Sequence, residues 1–319
     1  MGSVQHLLHQ LHSTRVYPAA THRLLQTVLA SLLPSPTHLV SGAAEAPYAG
    51  GLDTPMAGAQ SVCEDGAVPA ATAPVCPAAE DAGQPRPLRV LLVNPPSPDG
   101  QIYIRDVNRS GRLSREGTIW PQTSLALIAA VLAEAGCEVK IEDCIAERTT
   151  YKRLYARTQS WGPTHVILES VSSTIEKDMQ VGEFAKTLGA IVILISPHGE
   201  ALEAETRKRF PWIDHVVHYE KQEEPEYAIR EIITGQTRSS EEDFSTLPMA
   251  RQDLLPRSQY DLPLIGRGYT FLLTSRGCPW KCIYCRQTVT WKSRVRYRSV
   301  ESIVGEIRRY HLTNIAFHA

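Results

Sequence analysis

Short apolar runs alternate with longer amphipathic stretches from Leu88 onward, and this rhythm predicts strands separated by helices. The predicted strands are Leu88–Val93, Val139–Ile141, His165–Leu168, Ala190–Ile195 and His215–Val217. The predicted helices are Trp120–Ala135, Tyr151–Thr158, Ile175–Leu188, Ala201–Arg209 and Glu224–Ile233. Such alternation favours a parallel sheet covered by helices on both faces. The sequence therefore predicts an α/β, Rossmann-like (flavodoxin-like) five-stranded parallel sheet with strand order 2-1-3-4-5.

Two loops at the carboxyl ends of the predicted strands frame a candidate binding site. Ligands of this fold bind where strands 1 and 3 diverge, and the loops there are residues 94–101 and 169–174. The second loop is rich in hydroxyl groups, which either bind the polar edge of a cofactor or cap the helix that follows. The residue types alone do not decide between these roles. The first loop lacks the glycine pattern of a dinucleotide site, which disfavours NAD.

The segments on either side of this predicted domain, residues 87–237, differ from it in composition. Residues 1–86 are rich in Ala, Pro, Gly, Ser and Thr and lack apolar periodicity, which predicts a low-complexity, mostly disordered N-terminal extension. An organelle-targeting leader and an extension without a role both remain open for it. Residues 238–265 are a predicted linker, and residues 266–319 form a second unit.

Overall charge and composition narrow the classes of partner. The 319 residues carry a net charge of -1 and 43% hydrophobic residues, which favours neither a polyanion nor an acidic membrane as partner. No apolar run is long enough for a membrane span. Seven cysteines do not make an even disulfide framework, so a reducing, cytoplasmic location is predicted. The alternating Lys292, Arg294, Arg296 and Arg298 are interpreted as a solvated face rather than a nucleic-acid site.

Three cysteines, Cys278, Cys282 and Cys285, lie within eight residues in a C-x3-C-x2-C pattern. Thiolates are the ligands of iron–sulfur clusters, and three of them can hold a four-iron cube whose fourth iron is open to a substrate. Zinc is disfavoured, because His311 and His318 do not have the spacing of a zinc-finger histidine pair. A C-x-x-C redox pair would leave Cys278 unexplained.

The elements predicted around the cysteines are those of a β/α barrel. An apolar strand, Tyr269–Thr274, ends just before them, and barrel active sites lie at the carboxyl ends of strands. Ser299 is predicted to cap a helix over Val300–Tyr310. A second strand is predicted to begin over Asn314–Phe317.

The run Thr274–Cys285 (TSRGCPWKCIYC) closely resembles the cluster loop of radical S-adenosylmethionine (SAM) enzymes. The resemblance implies that Cys278, Cys282 and Cys285 ligate a [4Fe-4S] cluster and that Tyr284 lies against the adenine of SAM. It also implies a reductant such as flavodoxin or ferredoxin, and a 5′-deoxyadenosyl radical as the reactive product of SAM cleavage. Residues 266–319 would then be the N-terminal part of a C-terminally truncated β/α partial barrel.

Residues 88–235 resemble the cobalamin (B12)-binding domain that precedes the radical SAM domain in many anaerobic enzymes. The likeness is nearest to the branch of the anaerobic magnesium-protoporphyrin IX monomethyl ester cyclase. The matching segments are Val93–Pro96, Trp120–Ala126, Ser170–Thr174 and Ser196–His198. The cobalamin contacts implied by position are Asn94, Pro95, Ser170, Ser172, Thr174, His198 and Glu220.

The same resemblance carries an expectation about how cobalamin would bind. The first loop lacks the histidine of the D-x-H-x-x-G motif, so a base-off cofactor without a histidine ligand from this loop is expected. Ser196 and Tyr219 stand where the family has glycine, and their side chains are expected to hinder the cofactor's tail.

Two functions follow from the resemblance. Full-length relatives act on a small molecule as radical methyltransferases or oxidative cyclases, and the sequence favours neither. The alternative is a truncated, catalytically inactive fragment that binds cobalamin and an iron–sulfur cluster, because the barrel parts that hold SAM and substrate are missing from it.

Overall fold

The computed structural model of this chain describes residues 87–106, 112–196, 202–219, 224–262, 266–283, 285 and 294–318. The predicted N-terminal extension, residues 1–86, lies outside these ranges. The described residues belong to one compact unit that runs from Cys76 to Ala319. Among the residues that the structure describes, no helix combines the length and the apolar character needed to cross a bilayer.

The order of elements matches the predicted alternation. The strands are β1 (Arg89–Asn94), β2 (Tyr103–Ile104), β3 (Arg112–Leu113), β4 (Glu138–Asp143), β5 (His165–Glu169), β6 (Ile191–Ile195), β7 (His215–Val217), β8 (Asp261–Leu262), β9 (Gly266–Arg267), β10 (Tyr269–Leu273), β11 (Ser275–Arg276), β12 (Arg296–Tyr297) and β13 (Asn314–His318). The helices are α1 (Thr123–Glu134), α2 (Tyr151–Trp161), α3 (Ile175–Thr187), α4 (Glu203–Arg209), α5 (Pro225–Thr234) and α6 (Val300–Arg309).

A five-stranded parallel sheet forms the centre of the fold. Its strand order is β4-β1-β5-β6-β7, and every neighbouring pair is parallel. Numbered along the chain, this is the predicted order 2-1-3-4-5, which is therefore confirmed. Alternate side chains of β1 enter two different cores, because successive residues of a strand point to opposite faces. Helices α1 and α5 cover one face, and α2 and α3 cover the other.

Helix α1 is buried on nearly every side, since the residues from Thr123 to Leu132 are all buried. An all-round apolar helix needs packing partners on both sides. The sheet supplies one, and strand β10 of the C-terminal segment supplies the other. Just before the helix, the ring centroid of Trp120 lies 4.1 Å from that of Phe271 in β10. The helix starts at Thr123 rather than at the predicted Trp120, because Pro121 disfavours a helical conformation for the residue before it.

The cysteine-bearing segment connects β11 to β12, and two small pairings of strands surround it along the chain. Strands β10 and β13 are parallel, and β11 and β12 form an antiparallel pair on either side of the cysteines. Ser299 caps α6 as predicted, its hydroxyl accepting the N–H of Ser302 at 3.1 Å.

The predicted solvated face over residues 292–298 is wrong for two of its arginines. Arg296 and Arg298 are buried, although Arg294 is exposed; Lys292 lies outside the described residues. Arg298 forms an ion pair of 2.8 Å with the equally buried Glu306. The alternation predicts a solvated face, but it instead places Arg296 and Arg298 against the buried carboxylates of Glu224 and Glu306.

Because the sheet and the C-terminal strands share one core, replacing Phe271 by Ala is expected to lower the stability of both together. The expected loss is about 3–5 kcal/mol, the cost of an emptied aromatic site. Urea unfolding followed by far-UV circular dichroism and by tryptophan fluorescence measures it. The control Ile283→Ala, at a fully exposed side chain, should cost less than about 0.5 kcal/mol. Two separate transitions, only one of them shifted by Phe271→Ala, would contradict the shared core.

Candidate functional site

Arg105 fills the switch-point crevice, which is the space between the carboxyl ends of β1 and β5. Its side chain is completely buried. Each of its three guanidinium nitrogens contacts two oxygen atoms, at 2.8–3.3 Å. The acceptors are the side chains of Asn94, Thr174 and Asp178 and the carbonyls of Pro95 and Pro96. The arginine thereby joins the loop after β1 to the loop after β5.

Two hydroxyl groups of the loop after β5 bind Asp178, which is the ion-pair partner of Arg105. Ser170 and Thr174 each donate a hydrogen bond to Asp178 Oδ2, at 2.7 and 2.6 Å. Thr174 precedes α3 but makes no side-chain cap bond. The hydroxyls of Ser170 and Thr174 therefore bind Asp178 and neither cap the helix nor face an open site. Burial raises the pKa of Asp178, while Arg105 and both hydroxyls oppose that rise.

A second chain of buried bonds braces the loop after β1. The Asn94 amide donates to Asp143 Oδ1 at 2.7 Å, and the Tyr260 hydroxyl donates to Asp143 Oδ2 at 2.8 Å. Burial raises the pKa of Asp143, while these two donors lower it. The Tyr151 hydroxyl also donates to the Pro96 carbonyl at 2.9 Å. Because Tyr260 belongs to the core on one face of the sheet and Tyr151 packs against the core on the other, the loop is held from both faces of the sheet.

Buried ion pairs also anchor both ends of the cysteine segment to helix α5. Arg276, two residues before Cys278, donates to both carboxylate oxygens of Glu226. Arg296, on the returning strand β12, donates to Glu224. Burial opposes the charge of Arg276, but the pKa of Arg276 is nevertheless raised because Glu226 stabilises it. Since α5 follows β7, these pairs bring the cysteine segment next to the carboxyl edge of the sheet.

Tyr219 lies in the same region and belongs to the core. Its side chain is fully buried, and burial together with the nearby Glu169 and Glu226 raises its pKa well above the usual value. Ser196, the other residue predicted to stand in place of a family glycine, is buried as well. Both side chains are therefore part of the packed interior behind the sheet edge.

The bend that begins the cysteine loop depends on Gly277. Its φ is +104°, and a Cβ there would lie 1.9 Å from the carbonyl oxygen of Arg294. Cys278 and Cys285 are half-buried and Cys282 is exposed, and the Cys285 N–H donates to the Cys282 carbonyl at 3.1 Å. Trp280 and Ile283, between the cysteines, are the most exposed large apolar side chains of the described residues.

The donor chemistry of this loop fits an iron–sulfur cluster, because three thiols stand on an accessible bend. Across the described ranges, no three His, Cys, Asp or Glu side chains are gathered as a metal site. A cluster would therefore have to draw the three thiols together.

The cobalamin contacts predicted from the sequence divide into three groups. Asn94, Pro95, Ser170 and Thr174 do meet at the sheet edge, but each already bonds Arg105 or Asp178. Ser172 is exposed at the same edge. His198 and Glu220 lie outside the described residues, as does Tyr284 of the cysteine loop. The switch-point crevice is thus occupied by the chain itself and does not fit a cofactor tail.

The sequence did not predict the residues that organise the switch-point crevice and the cysteine loop, namely Arg105, Asp178, Glu224 and Glu226. One signal was available: an acidic residue in the first turn of a helix after a hydroxyl-rich loop can accept bonds from those hydroxyls. The partners of the arginines had no comparable local signal.

A comparison with solved structures found a protein whose fold is similar to that of this chain. The solved structure of the cobalamin-dependent S-adenosylmethionine radical enzyme OxsB, with aqua-cobalamin and S-adenosylmethionine bound, superposes with a TM-score of 0.52 at 16% identity. The match covers 73% of this chain and 34% of that one. The fold is shared with OxsB.

A further solved structure and a protein of similar sequence were also found. The radical S-adenosylmethionine methyltransferase TsrM from Kitasatospora setae, with cobalamin and a [4Fe-4S] cluster bound, gives a TM-score of 0.45 at 15% identity, covering 73% of this chain and 49% of that one. An uncharacterized methyltransferase of Pyrococcus horikoshii is 25% identical over 250 residues, which is 70% of this chain. The chain spans 50% of that relative's length. No protein-family model matches the chain.

Replacing Glu226 by Gln should strongly destabilise the protein, because Arg276 would be left as a buried charge without its counter-charge. The expected loss is about 3–5 kcal/mol in the free energy of unfolding measured in urea. The matched control is Glu138→Gln, which breaks the exposed pair with Arg89 and should cost less than about 1 kcal/mol. Equal losses in the two variants would show that burial of the Arg276 pair is unimportant.

Replacing Gly277 by Ala should cost more than the same change at Gly268. Both glycines have positive φ, at +104° and +73°, so each substitution incurs a backbone penalty of about 1–2 kcal/mol. Only at Gly277 does the added methyl group also collide with backbone atoms. Urea unfolding of both variants tests this, and a Gly268→Ala loss as large as that of Gly277→Ala would refute the close approach.

Proposed function

We propose that this chain is an iron–sulfur protein of the radical SAM type, in which Cys278, Cys282 and Cys285 ligate a [4Fe-4S] cluster that cleaves SAM reductively. The observation that carries the proposal is the placement of three thiols on an accessible bend after strand β10. Both ends of that bend are anchored by buried ion pairs, so a bound cluster would be held in a fixed position. Tyr284 is proposed to lie against the adenine.

When bound, such a cluster supplies one electron, taken from a donor such as ferredoxin or flavodoxin, that splits SAM into methionine and a 5′-deoxyadenosyl radical. The chain's own residues provide the position for that chemistry. Gly277 allows the sharp bend, and the Glu226 and Glu224 pairs hold its two ends. Positioning is the general contribution of a protein whose cofactors carry the difficult chemistry.

A second cofactor, cobalamin, is proposed at the carboxyl edge of the five-stranded sheet. The strand order supports it, because this order binds ligands at that edge. The fold shared with OxsB, whose structure holds aqua-cobalamin and SAM, supports it as well. Ser172 is a proposed contact from the described residues, and His198 and Glu220 are proposed contacts beyond them.

The proposed reaction is methylation of a small molecule, since the Pyrococcus relative is named as a methyltransferase. Oxidative cyclisation is the second candidate within the same chemistry. Binding of the cofactors without turnover is the third candidate.

Anaerobic reconstitution with iron and sulfide tests the cluster. We expect about four irons per chain in the unaltered protein and near none when Cys278, Cys282 or Cys285 is replaced by Ala. The control Cys137→Ala, at a buried cysteine on the apolar core side, should keep its iron. Iron content that is unchanged in all three loop variants would overturn the proposal.

The same preparations separate an enzyme from a binding protein. With dithionite as reductant and SAM added, formation of 5′-deoxyadenosine supports reductive cleavage and should disappear in the loop variants. A full cluster without 5′-deoxyadenosine would instead favour binding without turnover.

A further inference from the structure

The guanidinium of Arg105 is saturated where it lies. It has five N–H donors, and its nitrogens make six contacts with oxygen atoms of the chain. Asp178 uses both carboxylate oxygens, one of them for three donors. Both side chains of the 2.8 Å pair are fully buried. A ligand entering the crevice would therefore replace bonds that are already made, rather than satisfy open ones.

Removing the arginine side chain from the crevice would be costly. Asp178 would remain among buried residues without its counter-charge, which is the arrangement that makes a broken buried pair so destabilising. The five oxygen-bearing residues around Arg105 would lose their donor at the same time. A ligand group must supply an equally well-placed cation and fork of donors to compensate, and a nucleotide tail, which carries a phosphate, has the opposite charge.

The walls of the crevice cannot easily widen around the arginine. Asn94 is held by Asp143, which Tyr260 and the Ala146 N–H also bind. Pro96 is held by Tyr151. On the other side, Thr174 immediately precedes α3 and Asp178 lies in its first turn, and the core face of this helix packs through Met179 and Val181. The crevice is preorganised in its closed form.

We propose that this domain takes a corrinoid by its ring alone, with the nucleotide tail left in solvent, because Arg105 occupies the crevice between β1 and β5. The inference rests on the proposed binding of cobalamin at this sheet edge. It makes Arg105 a specificity residue: tailless corrinoids and corrinoids with any lower base are accepted alike.

Spectroscopic titration of the full chain with two probes tests the proposal without any assay of activity. Aquacobalamin carries the tail, and diaquacobinamide lacks it. We expect dissociation constants that agree within about threefold, less than the tenfold that 1.4 kcal/mol represents. A tail buried in the crevice would instead favour aquacobalamin by roughly a hundredfold, as expected for about ten further buried ligand atoms.

A double variant examines the role of the arginine directly. Arg105→Ala combined with Asp178→Asn removes both charges together, so that no unpaired ion is left buried. If Arg105 is what excludes the tail, aquacobalamin should gain roughly tenfold over diaquacobinamide in this variant. The control Arg89→Ala with Glu138→Gln removes an exposed pair at the opposite end of β1 and should leave the ratio unchanged.

The outcomes separate this inference from the proposed function. Binding of both probes with equal affinity supports both. A strong preference of the unaltered protein for aquacobalamin overturns the closed crevice while leaving cobalamin binding intact. Binding of neither probe removes cobalamin from the proposed function, and the inference falls with it. Should the double variant fail to fold by circular dichroism, the comparison in the unaltered protein still decides.

Discussion

The buried pairs Arg276–Glu226 and Arg296–Glu224 are the interactions on which the arrangement of the site depends. The arginines come from the two arms of the β11–β12 pairing, and the glutamates begin helix α5. Neither arm can move away from α5 without leaving a charge in a buried position. The cysteine loop is therefore held beside the carboxyl edge of the parallel sheet, and the shared core around Trp120 and Phe271 supports the same placement from below the edge.

The pairing of the two arms also explains the requirement for glycine at position 277. Strands β11 and β12 are antiparallel neighbours, and the carbonyl oxygen of Arg294 lies where a side chain at position 277 would begin. The φ of Gly277 is a second requirement that only glycine meets without strain. Ion pairing and the bend are thus two aspects of one local geometry, which presents the cysteines outward.

Most of the fold was predictable from the sequence, because its signals are local. The runs of β1, β5 and β6 are almost wholly apolar, as strands covered on both faces must be, and the helices between them have clear limits. The arginines were not predictable. The alternation of basic residues with others predicts a solvated face for Arg296. Its burial depends on Glu224, which lies 72 positions away in the chain and gives no local signal. The same holds for Arg105 and Asp178, which are 73 positions apart.

The two halves of the candidate site differ in what a ligand must overcome. At the sheet edge, polar groups that would have met a cofactor already bond one another, so affinity there has to come from surfaces outside the crevice. At the cysteine loop, Cys282 and the intervening apolar side chains of Trp280 and Ile283 are exposed, and Cys278 and Cys285 are half-buried. A soft metal would gain thiolate bonds there without breaking a buried ion pair. Ligand binding at the loop can therefore proceed by local closure of a few residues. Binding at the crevice would require the breaking of a buried ion pair, and for that reason the loop, rather than the crevice, carries the functional assignment.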